Sequence, residues 1–186
     1  MSATLERHSR PRLAIRPLVP SDRPALERGF EALSAESRYN RFHSLLQRLP
    51  AWLARALTEV DGVDHVALVG LEHVDGAPQG LGVGIARYVR NREAREVAEL
   101  AVTVIDHAQG RGIGRALIME LAKVARARGI HTFTMTILQS NRKARALAAK
   151  LGAVLVQSQG EVVTYHLPLA VFERRPAREA ARLIWA

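Results

Sequence analysis

A chain of 186 residues with 48% apolar side chains is long enough to bury one core of its own and suits a single domain. Its net charge of +9 points to anionic partners, and the absence of cysteine excludes disulfides, thiolate zinc sites and cysteine nucleophiles, which suits a cytoplasmic protein. No apolar run reaches membrane-spanning length, the N-terminus lacks a signal-peptide core, and no internal repeat or low-complexity segment is found.

Residues 1–12 mix Arg, His and Ser without periodicity and read as a loose tail ahead of a domain spanning 13–169. Residues 13–18 alternate as a first strand. Ser21-Asp22-Arg23-Pro24 starts a helix, with a polar cap and proline in the first turn, that carries Leu26, Phe30 and Leu33. Residues 34–42 open a second short helix. On it Tyr39 and Phe42 are expected as core anchors, and Arg38 and Arg41 are expected to face water unless they line an acceptor groove. Residues 50–60 suggest a third helix with Trp52, Leu53, Ala56 and Leu57 inward. Asp61-Gly62 turns into a strand over 66–71. A hairpin-like connection at 75–80 leads to a strand over 81–89, where Gly82 and Gly84 suit close approach of a neighbour.

After a turn at 91–95, residues 97–105 are β-branched and apolar enough for a mostly buried strand. Asp106 to Ala108 break the pattern, Gly110, Gly112 and Gly114 follow, and from Arg115 the period becomes helical, with Leu117, Leu121 and Val124 on one face. Arg126 and Arg128 occupy the last turn, with Gly129 beyond. Helices are expected to separate the later strands at 132–138, 153–157 and 162–167. An Arg-rich helical tail, 170–186, either packs back on the domain or helps a homodimer form. Short turns between the first four strands imply antiparallel pairing, so the fold class is α/β: a mixed, mostly antiparallel central sheet flanked by helices.

Strand, Gly-rich loop and helix make an anion-binding arrangement, because the backbone can approach a ligand and the helix N-terminus offers free N–H groups. A Walker loop is excluded, since no Gly-Lys pair exists in the chain. The dinucleotide pattern fails because Arg115 or Leu117 stands where its third small residue belongs. What remains is Gln109-x-x-Gly112-x-Gly114. Between residues 105 and 151 nine basic side chains stand against two acidic ones, a basic rim suited to a phosphate-rich ligand. A nucleic-acid surface is the competing reading; only Phe133 offers a stacking ring in that span, which counts against it.

The Gln109-x-x-Gly112-x-Gly114 run resembles the acetyl-CoA pyrophosphate loop of the GCN5-related N-acetyltransferases. Asn141-x-x-Ala144-x-x-Leu147-x-x-x-Leu151-Gly152 resembles that family's second cofactor element, and together the match covers roughly 13–169. Ser34-x-Glu36-Ser37-Arg38-Tyr39-x-Arg41-Phe42 is similar to the segment ahead of the cofactor core in bacterial Pat-type protein-lysine acetyltransferases. The resemblance implies acetyl-CoA as donor. Its pyrophosphate would lie on Gln109, Gly110, Arg111, Gly112, Ile113, Gly114 and Arg115, and its pantetheine along Ala101, Val102 and Val104. A strand bulge would free N–H groups near Ala101 and Val102, and Asn141 would either reach the pantetheine or cap its helix.

Glu99 interrupts the apolar strand. By resemblance it is the general base, acting through water; the alternative is a solvated face or sheet edge. Many relatives place a tyrosine after the position of Leu147 to protonate the leaving thiolate. Ala148 stands there instead, so the thiolate would leave unassisted or take a proton from water, and the absence leans towards a protein lysine as acceptor. The seven histidines show no metal-ligand spacing, and no metal is expected. The resulting expectation is acetyl transfer from acetyl-CoA to a primary amine, with protein lysine leading. A small-molecule amine acceptor, or a non-catalytic acyl-CoA-binding module, stands as the alternative.

Overall fold

Alternating apolar residues in the first half of the chain build one antiparallel run of sheet. β1 (Leu13–Pro17), β2 (His65–Val74), β3 (Ala77–Arg90) and β4 (Val97–Val104) pair in sequence order, each antiparallel to the last. β5 (Thr132–Leu138) joins β4 in parallel, and β7 (Val162–Pro168) lies between β5 and β6 (Val154–Gln159). The sheet is therefore mixed and mostly antiparallel, as the sequence implies. One connection differs: no helix separates β6 from β7, which are joined by a turn at Gly160 and Glu161. The coordinates are a computed structural model that describes residues 13–74 and 77–173. The expected tail at 1–12, the hairpin tip and most of the expected C-terminal helix lie outside the described residues. Within them, Leu169–Phe172 forms a 3₁₀ turn.

Five helices cover the sheet: α1 (Arg23–Glu31), α2 (Ala35–Phe42), α3 (Ala51–Thr58), α4 (Ile113–Ala127) and α5 (Arg142–Leu151). The main core lies between α4 and the sheet. Leu117 and Leu121 are fully buried there with Ala86, Tyr88, Ala98 and Phe133, and Val124 packs at its margin. Leu117 sits on the backbone of the sheet because Gly70 and Gly84 leave room; a Cβ at Gly84 would meet Leu117 at 3.1 Å and the Thr103 carbonyl oxygen at 3.0 Å. Gly82 differs from expectation, since nothing lies within 4 Å of its Cβ position. The reason is a bulge: Gly70 faces Gly84 while Leu71 faces Gly82, so Val83 is the extra residue. A smaller apolar cluster of Leu18, Ala67 and Val69, with Ile85 packed against it, lies on the sheet near α1 and α3.

Two expectations for the helices fail. On α3 the inward positions are Ala54 and Thr58, with Leu53 and Leu57 partly covered, while Ala56 is exposed and Trp52 keeps 70% of its surface. Thr58 is buried at no polar cost because its hydroxyl donates to the Ala54 carbonyl at 2.9 Å, a local bond that hydropathy does not register. On α2, Tyr39 and Phe42 are half-buried, and Phe42 packs against Phe30 at 5.7 Å instead of entering the main core.

Among the described residues no helix is long and apolar enough to cross a membrane. Gly84→Val should destabilise the fold by about 1–3 kcal/mol through overpacking, whereas Gly82→Ala should change it by less than about 0.5 kcal/mol; urea unfolding of the two variants checks the contrast.

Candidate functional site

β4 and β5 begin side by side and then part. Their parallel pairing runs from Val97↔Thr132 to Glu99↔Thr134 and stops, although β4 continues to Val104 and β5 to Leu138. On its other edge β4 keeps an unbroken register with β3 from Ala98 to Val104, so the bulge expected in this strand is absent. Alternation decides which backbone groups the parting exposes. Asn91 N–H donates to Val97 O at 2.9 Å and Ile105 N–H to Val83 O at 3.1 Å, so the odd-numbered residues of β4 exchange bonds with β3. Ala101 is therefore committed to Arg87, which corrects its expected place as a free donor. Leu100, Val102 and Val104 turn their N–H and C=O groups into the opening.

The opening is a cleft of about 380 Å³. Leu100 and Val102 form one wall, Met135 and Ile137 the other, and Asn141, Leu147 and Ala148 close one side. Asn141 resolves its two expected roles in favour of the cap: its Oδ1 accepts from Ala144 N–H at 3.0 Å while the residue still borders the cleft. Ala148 is buried in the wall and offers no hydroxyl there.

Beside the cleft, the glycine loop delivers the N-terminus of α4. Gly112 is its N-cap with φ of 86°, a conformation glycine adopts freely, and no side chain caps the helix. The first helical bond is Ala116 N–H to Gly112 O at 3.0 Å, so the N–H groups at the start of the helix, Ile113 and Gly114 among them, point out of its end. Backbone donors at the positive end of a 15-residue helix suit a phosphate group.

Side chains around the loop do other work than expected. Arg111 pairs with Glu72 through both guanidinium nitrogens at 3.2 and 2.5 Å, Lys123 pairs with Glu120, and Arg126 with Glu173. Arg145 donates to the Gln139 carbonyl. Much of the basic rim is thus engaged within the fold. Gln109, expected beside the pyrophosphate, turns inward: its Nε2 donates to Val104 O at 3.1 Å and Ser37 Oγ at 3.3 Å, and its Oε1 accepts from Lys143 at 2.9 Å. Asp106 completes this network by accepting from Ser34 N–H and from both the Ser34 and Ser37 hydroxyls. Burial opposes ionisation of Asp106, but these donors and the Lys143 charge outweigh it and hold the carboxyl below its ordinary range.

Glu99 stands on the odd-numbered face of β4, at the mouth of the cleft, and is exposed. Its neighbour is Arg41, which is half-buried and stacks over the Phe42 ring at 5.0 Å instead of facing water. Arg38 also leaves solvent, donating to the carbonyls of Glu31 and Gln47 and lying over Phe30. Arg87, which no motif singles out, is 8% exposed and stands opposite Ala101. Burial, and then the charge of Arg41, push its pKa down to about 10. The available signal was a lone charge inside the apolar run from Leu81 to Val89. Among the described residues no cluster of His, Asp and Glu is arranged to hold a metal.

The profile of the acetyltransferase (GNAT) family matches residues 74–153, which include the glycine loop and the start of α5's cleft wall. An acetyltransferase of Pseudomonas aeruginosa is 34% identical over 140 residues, 75% of this chain and 74% of that protein. The chain belongs to the GNAT acetyltransferase family. Acetyltransferase Pat of Mycolicibacterium smegmatis is 36% identical over 149 residues, which are 80% of this chain and 43% of that protein, so the chain spans less than half of Pat's length. The GNAT domain of S. lividans PAT superposes with a TM-score of 0.76 at 31% identity, over 83% of this chain and 89% of that one.

His65 offers a pH test of the packing behind this GNAT site. Burial first, and then Arg87, push its pKa from 6.5 down to about 4, and Arg87 Nη2 lies 3.5 Å from its Nδ1. The imidazole is thus neutral in the fold and protonates more readily when unfolded. Its contribution to stability should be present above pH 6.5 and be lost as pH falls towards 4. The difference in unfolding free energy between wild type and His65→Gln, followed from pH 7.5 to 4.5, should shrink or reverse in that window.

Proposed function

We propose that this chain transfers an acetyl group from acetyl-CoA to a primary amine, with Glu99 as general base and protein lysine as the leading acceptor. The observation that carries this reading is the parting of β4 from β5, which opens a cleft with Glu99 at its mouth near an uncapped helix N-terminus. The pyrophosphate fits the N–H groups of Ile113, Gly114 and Arg115. The pantetheine amides fit the backbone of Val102, which lies beyond the last β4–β5 pair, in the manner of an added strand. The N–H of Val102 is then in position to polarise the acetyl carbonyl.

In the transfer, the amine nitrogen bonds to the acyl carbon as the carbon–sulfur bond breaks. The amine's proton passes to Glu99 through water, which its exposure supplies. Ala148 gives the departing thiolate no proton, so solvent does. Similarity to Pat and to the GNAT domain of S. lividans PAT supports a lysine acceptor.

Glu99→Gln should lower CoA release by about a hundredfold or more while leaving acetyl-CoA affinity within a few-fold of wild type. Turnover is followed on lysine peptides and on small amines, with product mass confirmed. Undiminished turnover in the variant would remove Glu99 from its role, and failure of the wild type to bind acetyl-CoA would overturn the reading as a whole.

A further inference from the structure

Behind Glu99, on the odd-numbered face of β4, lies a second cavity of about 180 Å³ between the sheet and α1 to α3. It borders the cleft, and Arg41, Phe42 and Ala101 line both. Its charge is one-sided. Arg16, Arg28, Arg41 and Arg87 line it against a single carboxylate, Asp22, which Arg16 already holds through two bonds of 2.7 Å.

Arg41 and Arg87 are the unusual pair. Among the described residues Arg41 makes no hydrogen bond; it lies over the Phe42 ring and feels the charge of Glu99 at the mouth of the cleft. Arg87 has two long contacts, to the Ala56 carbonyl at 3.4 Å and to His65 at 3.5 Å, and no carboxylate. The charge of Arg41 also opposes ionisation of Arg87, beyond what burial does. Two guanidiniums held close together with little water, with Glu99 beside Arg41 and no carboxylate on Arg87, are costly, and the cost is relieved by an anion from outside. Guanidinium groups match a carboxylate in shape as well as charge.

We infer that this recess is an acceptor subsite in which Arg41 and Arg87 receive a carboxylate borne close to the amine that is acetylated. The inference rests on the transferase reading and names its acceptor class. Arg87 faces Ala101 across the β3–β4 ladder, and Glu99 is two residues along the same face, so a carboxylate in the recess leaves a neighbouring amine beside Glu99. The same two cations favour the neutral, nucleophilic form of that amine. The cavity is small enough to take a short acidic chain and excludes a folded segment. Such a carboxylate comes either from an acidic side chain next to a lysine in a polypeptide or from a free amino acid.

Paired acceptors separate these cases: lysine peptides flanked by Glu or by Gln, and ω-amino acids of three to six carbons against their carboxamides. With wild type, the carboxylate member of at least one pair should have a kcat/KM about tenfold or more above its neutral partner, expressed mainly in KM. Arg87→Met and Arg41→Met should each bring that ratio towards one, and Arg87→Glu should invert it, while acetyl-CoA affinity and thermal unfolding show that the variants fold. A preference in the peptide pair alone assigns the carboxylate to a polypeptide, and in the amino acid pair alone to a free acid. Calorimetric binding of the N-acetylated products, acid against amide, gives the same comparison without turnover. Equal binding and equal kcat/KM within every pair would overturn the subsite. Absence of turnover on all acceptors, with the acid product still bound preferentially, would overturn the transferase reading and leave the recess standing.

Discussion

The parting of β4 and β5 beyond Glu99↔Thr134 is the constraint around which the rest of the molecule is arranged. Within a sheet, every backbone donor and acceptor normally finds a partner in the next strand, and each one left dry costs about 1–3 kcal/mol. Here β4 keeps its bonds to β3 without interruption and gives up those to β5, so one edge of a central strand is left open inside the sheet. An opening of that kind admits water or something as narrow as an extended chain. It also leaves side chains of alternating parity with separate tasks. Val102 and Val104 pack towards α4, while Glu99, Ala101 and Thr103 face the helices on the other side.

Holding two strands apart requires that the elements around the gap be fixed to each other, and polar bonds beyond the far end of β4, where the strands have parted, do this. Asp106 anchors the N-terminus of α2 through Ser34 and Ser37, and Gln109 ties Ser37, the last carbonyl of β4 and Lys143 of α5 together. These bonds are near the surface, so each contributes roughly 0.5–1.5 kcal/mol, and their value lies in geometry. They set α2 against the glycine loop, and α2 carries Arg41. The position of the acceptor-side arginine and that of the helix terminus proposed to hold the pyrophosphate are thereby fixed by one network.

Most of the fold was legible because periodicity and glycine placement report local structure well. The strands from residue 13 to residue 105, the loop and α4 all follow from alternation, from the glycines and from the change to a helical period. What failed depended on tertiary context. Trp52 is apolar yet outward, and Thr58 is polar yet buried, because α3 turns a different face to the sheet and a hydroxyl can satisfy itself on its own helix. The bulge lies at Val83, opposite Gly70 and Leu71, and not in β4. Which way the Gln109 amide points is decided by Ser37 and Lys143, residues 72 and 34 positions away, and no local pattern carries that.

Arg87 is the instructive case, because its signal was present and its meaning was not. A net charge of +9 seemed to belong to the segment between residues 105 and 151, where basic residues outnumber acidic ones. The fold divides that charge differently. Within that segment, Arg111, Lys123, Arg126 and Lys143 are engaged by Glu72, Glu120, Glu173 and Gln109, and the anion-binding capacity at the loop comes from backbone N–H groups at the start of α4. Across the sheet, among the described residues, Arg87 has no carboxylate partner, and Arg41 has the charge of Glu99 but no hydrogen-bonded ion pair. A phosphate can be held by peptide dipoles at a helix end, at no cost in buried side-chain charge. A carboxylate entering a recess walled by β-strands meets no such terminus, since strand dipoles alternate and largely cancel. On that side of the molecule only a side-chain cation can do the work, and that is where the fold keeps two of them without a hydrogen-bonded carboxylate among the described residues.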